Sequence, residues 1–119
     1  MLYSFRLREI IDQYQNTYNF LLSAPSLEEA KKKAERYANS FFSDPYAEYE
    51  DGTWYFYDWE VSVTIEAVER TTRSRWVKER IDEAYITDRK IETAESDLQN
   101  EKECARIAAD PSHISHCVK

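Results

Sequence analysis

The 119-residue sequence predicts an α+β domain: an antiparallel sheet of about four strands in the order hairpin, helix, hairpin, with one helix packed on one face and a long or hairpinned C-terminal helical region. Three observations predict it. Tyr3, Phe5 and Leu7 alternate with Ser4, Arg6 and Arg8, and Tyr18, Phe20 and Leu22 alternate around Asn19 and Leu21, which is the period of two expected of strands. Asp51-Gly52 stands between two strand-like runs, the pattern of a two-residue type I′ hairpin. From Ser74 to about Ala109 apolar residues recur every seven positions, at Val77, Ala84, Ile91, Leu98 and Ala105.

Each element follows from local chemistry. The first two strands are joined by the short polar link Asp12 to Asn16. Ser26-Leu27-Glu28-Glu29 reads as a capping box, in which hydroxyl and carboxylate satisfy backbone N–H groups at a helix start. Leu27, Ala30, Ala34, Tyr37, Ala38 and Phe41 then follow at helical spacing and should pack on the sheet. Pro45 limits the helix, because the residue before proline avoids the α region.

Counting outward from Asp51-Gly52 pairs Glu50 with Thr53, Tyr49 with Trp54, Glu48 with Tyr55, Ala47 with Phe56 and Tyr46 with Tyr57. A strand continuing unbroken from Thr53 to Val68 would exceed the usual three to ten residues. It would also divide Trp54 and Phe56 from Trp59, Val61, Val63 and Ile65. A β-bulge near Tyr57-Asp58 is expected to cure both faults and to place Tyr49, Trp54, Phe56, Trp59, Val61, Val63 and Ile65 in the core.

The C-terminal region either runs on as one helix of roughly 54 Å or bends back near Ile86-Thr87-Asp88, with Thr87 capping a second helix. Asp88, Glu95 and Lys102 interrupt its apolar seam, so it makes a poor coiled coil and needs a packing partner. The expected organisation is a sheet domain over residues 1–72, a helical region over 73–110 packed on it or on a partner chain, and a tail over 111–119. Pairing of two copies through the helix is the corresponding oligomeric expectation.

Charge is unevenly distributed. The net charge is −7, yet residues 1–36 carry six basic and five acidic groups and residues 70–119 carry ten of each. Between them stand Asp44, Glu48, Glu50, Asp51, Asp58, Glu60, Glu66 and Glu69, with no lysine or arginine. Such a chain is not expected to bind nucleic acid directly, which requires clustered cations against phosphates. No apolar run approaches the roughly 18 residues of a membrane span. The start, MLYSFRLREI, lacks a signal peptide's unbroken apolar stretch. A soluble, cytoplasmic protein with reduced thiols is therefore expected.

The strongest candidate site is the outward face of the second hairpin, with Glu48, Glu50, Tyr55, Tyr57, Asp58, Glu60 and Glu66. Carboxylates supply complementary potential and tyrosines supply rigid contact area, which suits docking on a basic protein partner. The plainer reading is a solvated face partly neutralised by Arg6 and Arg8 across the sheet. A sharper one is partial nucleic-acid mimicry that inhibits a nucleic-acid-handling enzyme. Small acidic proteins made by phages to block host nucleases fit that physical description, although no residue motif here assigns the chain to them. Alternate residues on a strand are about 7 Å apart, whereas duplex DNA presents a charge every 1.7 Å or so, so one strand is too sparse a mimic.

Cys104, His113, His116 and Cys117 gather in one window and form the alternative, a zinc site; adjacent His116 and Cys117 fit a tetrahedron poorly. Lys31-Lys32-Lys33 points in three directions around a helix and reads as a solvated face. No nucleophile elbow, Gly-rich phosphate loop or H-E-x-x-H occurs, and neither a cofactor nor catalysis is expected.

Overall fold

The computed structural model describes residues 1–72 and 85–108. Five antiparallel strands form one sheet: β1 (Leu2–Ile11), β2 (Tyr14–Ser23), β3 (Glu48–Glu50), β4 (Thr53–Phe56) and β5 (Val61–Thr71), in the spatial order β2-β1-β5-β4-β3. Helices α1 (Leu27–Asn39) and α2 (Asp88–Ala108) complete the α+β fold. The fifth strand arises because the long run after Thr53 splits in two.

The first hairpin is tighter than expected. Its turn is Asp12-Gln13, with Asp12 at φ 55°, and the ladder pairs Tyr3 with Leu22, Phe5 with Phe20 and Leu7 with Tyr18. Continuing the alternation puts Glu9 on the same face, where it is 4 % exposed. Its Oε1 accepts from Asn16 Nδ2 at 3.0 Å and from the Tyr18 hydroxyl at 3.2 Å, which satisfies the buried carboxylate. Burial first, then the Glu9 charge and hydrogen bond, raises the Tyr18 phenol above its ordinary pKa.

Helix α1 lies across this face. Ser26 has extended backbone and its Oγ accepts from Glu29 N–H at 3.2 Å, as a capping box requires, while the Glu29 carboxylate lies against Lys32 rather than reaching back. Ala30, Ala34 and Ala38, four residues apart, are fully buried and let the helix approach the strands closely. The helix ends at Asn39, before the predicted stop, where the Ser40 and Phe41 N–H groups turn to the Tyr37 and Ala38 carbonyls at 3.2 Å and Ser40 Oγ donates to the Arg36 carbonyl at 2.8 Å. Beside the alanines runs a chain of rings: Phe5, Phe20, Tyr37, Phe41, Phe42 and Phe56 are linked by centroid separations of 5.0–6.5 Å. Phe5, Phe56, Leu7, Leu22, Ile91 and Val63 are among the fully buried side chains, each stabilising by about 1.5–3 kcal/mol.

The predicted bulge near Tyr57-Asp58 is corrected. β4 ends at Phe56, and residues 57–60 form a turn that returns the chain antiparallel, pairing Phe56 with Val61 and Trp54 with Val63. A bulge does occur, but further along: Arg6 faces Ala67 while Leu7 faces Ile65, so Glu66 is the extra residue and Val68 returns to the core face. The I′ register holds for Glu50–Thr53, Tyr49–Trp54 and Glu48–Tyr55, and β3 stops there. Trp59 is not in the core; it is 51 % exposed, and Tyr49, on the edge strand, is 58 % exposed.

The C-terminal region is not one unbroken helix, since α2 begins only at Asp88, and the predicted helix before Tyr85 lies outside the described residues. Tyr85 bridges Leu21 in parallel and Ile86 N–H donates to the Leu21 carbonyl at 2.7 Å, so the chain is extended along the β2 edge there. Thr87 Oγ1 then accepts from Lys90 N–H at 3.1 Å and caps α2 as predicted. α2 packs beside α1, burying Ile91 and Leu98, with Lys33–Asp88 and Arg36–Glu95 ion pairs at 2.7 and 2.5 Å. The rest of the predicted stripe before Tyr85 lies outside the described residues. No helix among the described residues is long and apolar enough to cross a membrane.

Candidate functional site

One sheet face is covered by the helices; the other is largely open. The ladders order its side chains in rows. At one end Gln15, Ile10, Ser62, Tyr55 and Glu48 stand side by side across β2, β1, β5, β4 and β3. The next row runs Thr17, Arg8, Thr64, Thr53 and Glu50, with a hydrogen bond of 3.1 Å between the hydroxyls of Thr53 and Thr64. Short hydroxyl side chains thus make a low floor between cations on β1 and carboxylates on β3.

The turn after β4 adds a ring to this floor. Tyr57, Asp58 and Trp59 have φ of 53°, 56° and 72°, three consecutive non-glycine residues in the left-handed region. Such a conformation costs about 1–2 kcal/mol per residue, less for aspartate, and persists only when its surroundings impose it. Asp44 imposes it. This 5 %-exposed carboxylate accepts from Tyr46 N–H at 3.0 Å and from Tyr57 N–H at 2.7 Å, tying the link after α1 to the turn. Glu60 N–H closes the turn on the Tyr57 carbonyl at 3.2 Å, and the Tyr57 ring packs edge-on against Phe42 on the helix side.

Trp59 consequently folds back over the open face. Its indole stacks on Tyr55 with centroids 3.9 Å apart and planes within 13°, and its Nε1–H donates to Glu48 Oε2 at 2.7 Å. One indole face is therefore used, its edge is anchored, and the exposure falls on the other face. Alternation along a strand concealed this: Trp59 belongs to a turn, and nothing in residues 57–60 carries the glycine that marks left-handed turns.

The predicted residues separate into groups. Glu48, Glu50 and Tyr55 stand together on the open face, and Asp58 and Glu60 are exposed in the adjoining turn. Tyr57 leaves the group for Phe42. Glu66 is neutralised within the chain by Arg8 at 3.4 Å and Arg6 at 3.9 Å. Those arginines do little for β3, since three strand spacings amount to about 14 Å, beyond a Debye length of roughly 8–10 Å. Among the described residues, Glu48, Glu50, Asp58 and Glu60 form no ion pair.

Of the alternative metal ligands, Cys104 is half-buried on α2, and His113, His116 and Cys117 lie outside the described residues. No cluster of three metal-ligating side chains occurs among the described residues. Comparison with protein-family models, curated proteins and solved structures gave no match.

Proposed function

We propose that this protein is a non-catalytic binding module that docks on a basic protein partner through the acidic, aromatic end of its open sheet face. The exposed indole of Trp59 carries this reading. A costly left-handed turn, braced by a buried aspartate, keeps the ring out of the core and stacked beside Glu48, Asp58 and Glu60, carboxylates that form no ion pair among the described residues. Rigid aromatic area gives contact energy at little entropic cost, and carboxylates hasten encounter with a cationic surface.

Inhibition of a nucleic-acid-handling enzyme is the narrower form of the same proposal. It draws on the same carboxylates, but Arg6 and Arg8 interrupt the face and leave no continuous negative row. Joining two copies through α2 has less support, because Ile91 and Leu98 of its apolar stripe are already buried.

Affinity capture of identified partners tests the docking reading. Wild-type protein should retain proteins with basic surfaces, more weakly as salt rises. A triple E48Q/E50Q/E60Q variant should lose them. Equal capture by the two proteins would overturn the proposal, and competition with duplex DNA for a captured partner would separate inhibition by mimicry from docking elsewhere.

A further inference from the structure

We infer that the Trp59–Tyr55 stack is a receptor for a single arginine side chain of the partner. This inference rests on the docking reading above and specifies its chemistry. Four observations carry it. The stack is already assembled, with rings 3.9 Å apart and nearly parallel, so a third planar group can join without rearranging the first two. The indole edge is held by Glu48 Oε2, which prevents the ring from swinging away. Glu48 Oε1 accepts no hydrogen bond from the described residues, so the carboxylate at the indole edge keeps an acceptor for a cation stacked on the ring. Finally, Asp58 and Glu60 lie in the same turn as Trp59, both exposed and without an ion pair among the described residues.

The chemistry favours arginine over other guests. Tryptophan offers the strongest cation–π surface of the aromatic side chains. Guanidinium is planar, weakly hydrated and able to stack while its edge donors bind a carboxylate, whereas the lysine ammonium is a compact, strongly hydrated point charge. A neutral planar guest would gain the stacking and uncharged hydrogen bonds, but no charge attraction to Glu48, Asp58 and Glu60. Among the described residues no arginine pairs with these carboxylates: Arg6 and Arg8 are engaged with Glu66, three strands from β3.

Titration of the full-length protein with N-acetylarginine methylamide, followed by the indole N–H resonance of Trp59, tests the inference. A saturable shift of that resonance is expected with the arginine probe. Affinity should be several-fold weaker for the lysine analogue and about tenfold weaker for the citrulline analogue, which keeps the shape and loses the charge. W59F, followed by the backbone amide resonances of Glu48, Tyr55 and Asp58 because its indole is gone, should weaken the arginine probe several-fold and E48Q about as much, while unchanged unfolding curves show that both variants remain folded. Equal binding of arginine and lysine probes, or a citrulline probe as good as arginine, would overturn the inference. If neither W59F nor E48Q alters arginine binding while the triple glutamine variant still loses its captured partners, the receptor is wrong and the docking reading survives. If partner capture is also indifferent to the triple substitution, both fall.

Discussion

The two turns that bound β4 reach left-handed backbone by opposite routes. At Asp51-Gly52 the local sequence suffices: Gly52 adopts φ 80° with no Cβ to object, Asp51 tolerates 49°, and the register of three cross-strand pairs follows. At Tyr57–Trp59 only Asp58 tolerates what it does, neither ring-bearing neighbour does, and a buried carboxylate from thirteen positions earlier holds the conformation. A turn written locally is cheap and carries little else. A turn imposed from a distance can place a large ring where no strand would, and here it sets Trp59 over Tyr55.

The sharpest way to break this contrast is Asp44→Ala. It strands two backbone donors and frees the imposed turn, so unfolding in urea should show a loss of about 3 kcal/mol. The indole N–H resonance of Trp59 should move as the bond to Glu48 loosens. Next in size, Gly52→Ala meets open space but a forbidden φ, and should cost about 1–2 kcal/mol through backbone strain alone. Its signature is an unmoved Trp59 resonance; a shift as large as that of D44A would erase the distinction between the turns. Asp58→Gly should go the other way and stabilise by up to about 1 kcal/mol, because glycine relieves the left-handed residue that Asp44 now sustains. Destabilisation by D58G would mean that the Asp58 side chain, not the Asp44 brace, holds the turn.

A control away from both turns has the smallest expected effect. The Arg36 hydrogen bond, and secondarily its charge, holds the Glu95 carboxyl below the ordinary carboxylate range. A lowered folded pKa gives stability that is complete above the unfolded pKa and disappears as pH falls through the folded one. The pair is half exposed and screened, so E95Q should remove only a few tenths of a kcal/mol at neutral pH and almost nothing in acid. Denaturation curves at neutral and acid pH measure that difference, and both Trp59 and the two turns should ignore it.

Much of the fold was legible because it rests on short-range rules. Period two identified β1 and β2, the Ser26 hydroxyl marked α1, Thr87 marked α2, and Asp51-Gly52 set the β3–β4 register. The length limit on strands rightly required a break after Thr53, but a bulge and a four-residue turn satisfy that limit equally well. Only the return of β4 onto β5, with Phe56 opposite Val61, separates them. Glu9 was concealed for a related reason: alternation places it in the core, and only Asn16 and Tyr18 make that burial tolerable.

The candidate site divides along the same line. Glu48, Glu50 and Tyr55 were legible as one face, since a hairpin register assigns sides to residues two apart. Neutralisation by Arg6 and Arg8 was legible too, but that it falls on Glu66, that Tyr57 turns to Phe42, and that Trp59 joins the candidate site were not. By itself the amino-acid sequence determined which segments extend, which coil and where negative charge accumulates, because propensity, caps and periodicity act over a few residues. Which carboxylates stay uncompensated, and which indole meets solvent, were decided only when Asp44 reached Tyr57 and β1 came to lie beside β5, since ion pairs and turn braces depend on distances that the folded chain alone creates.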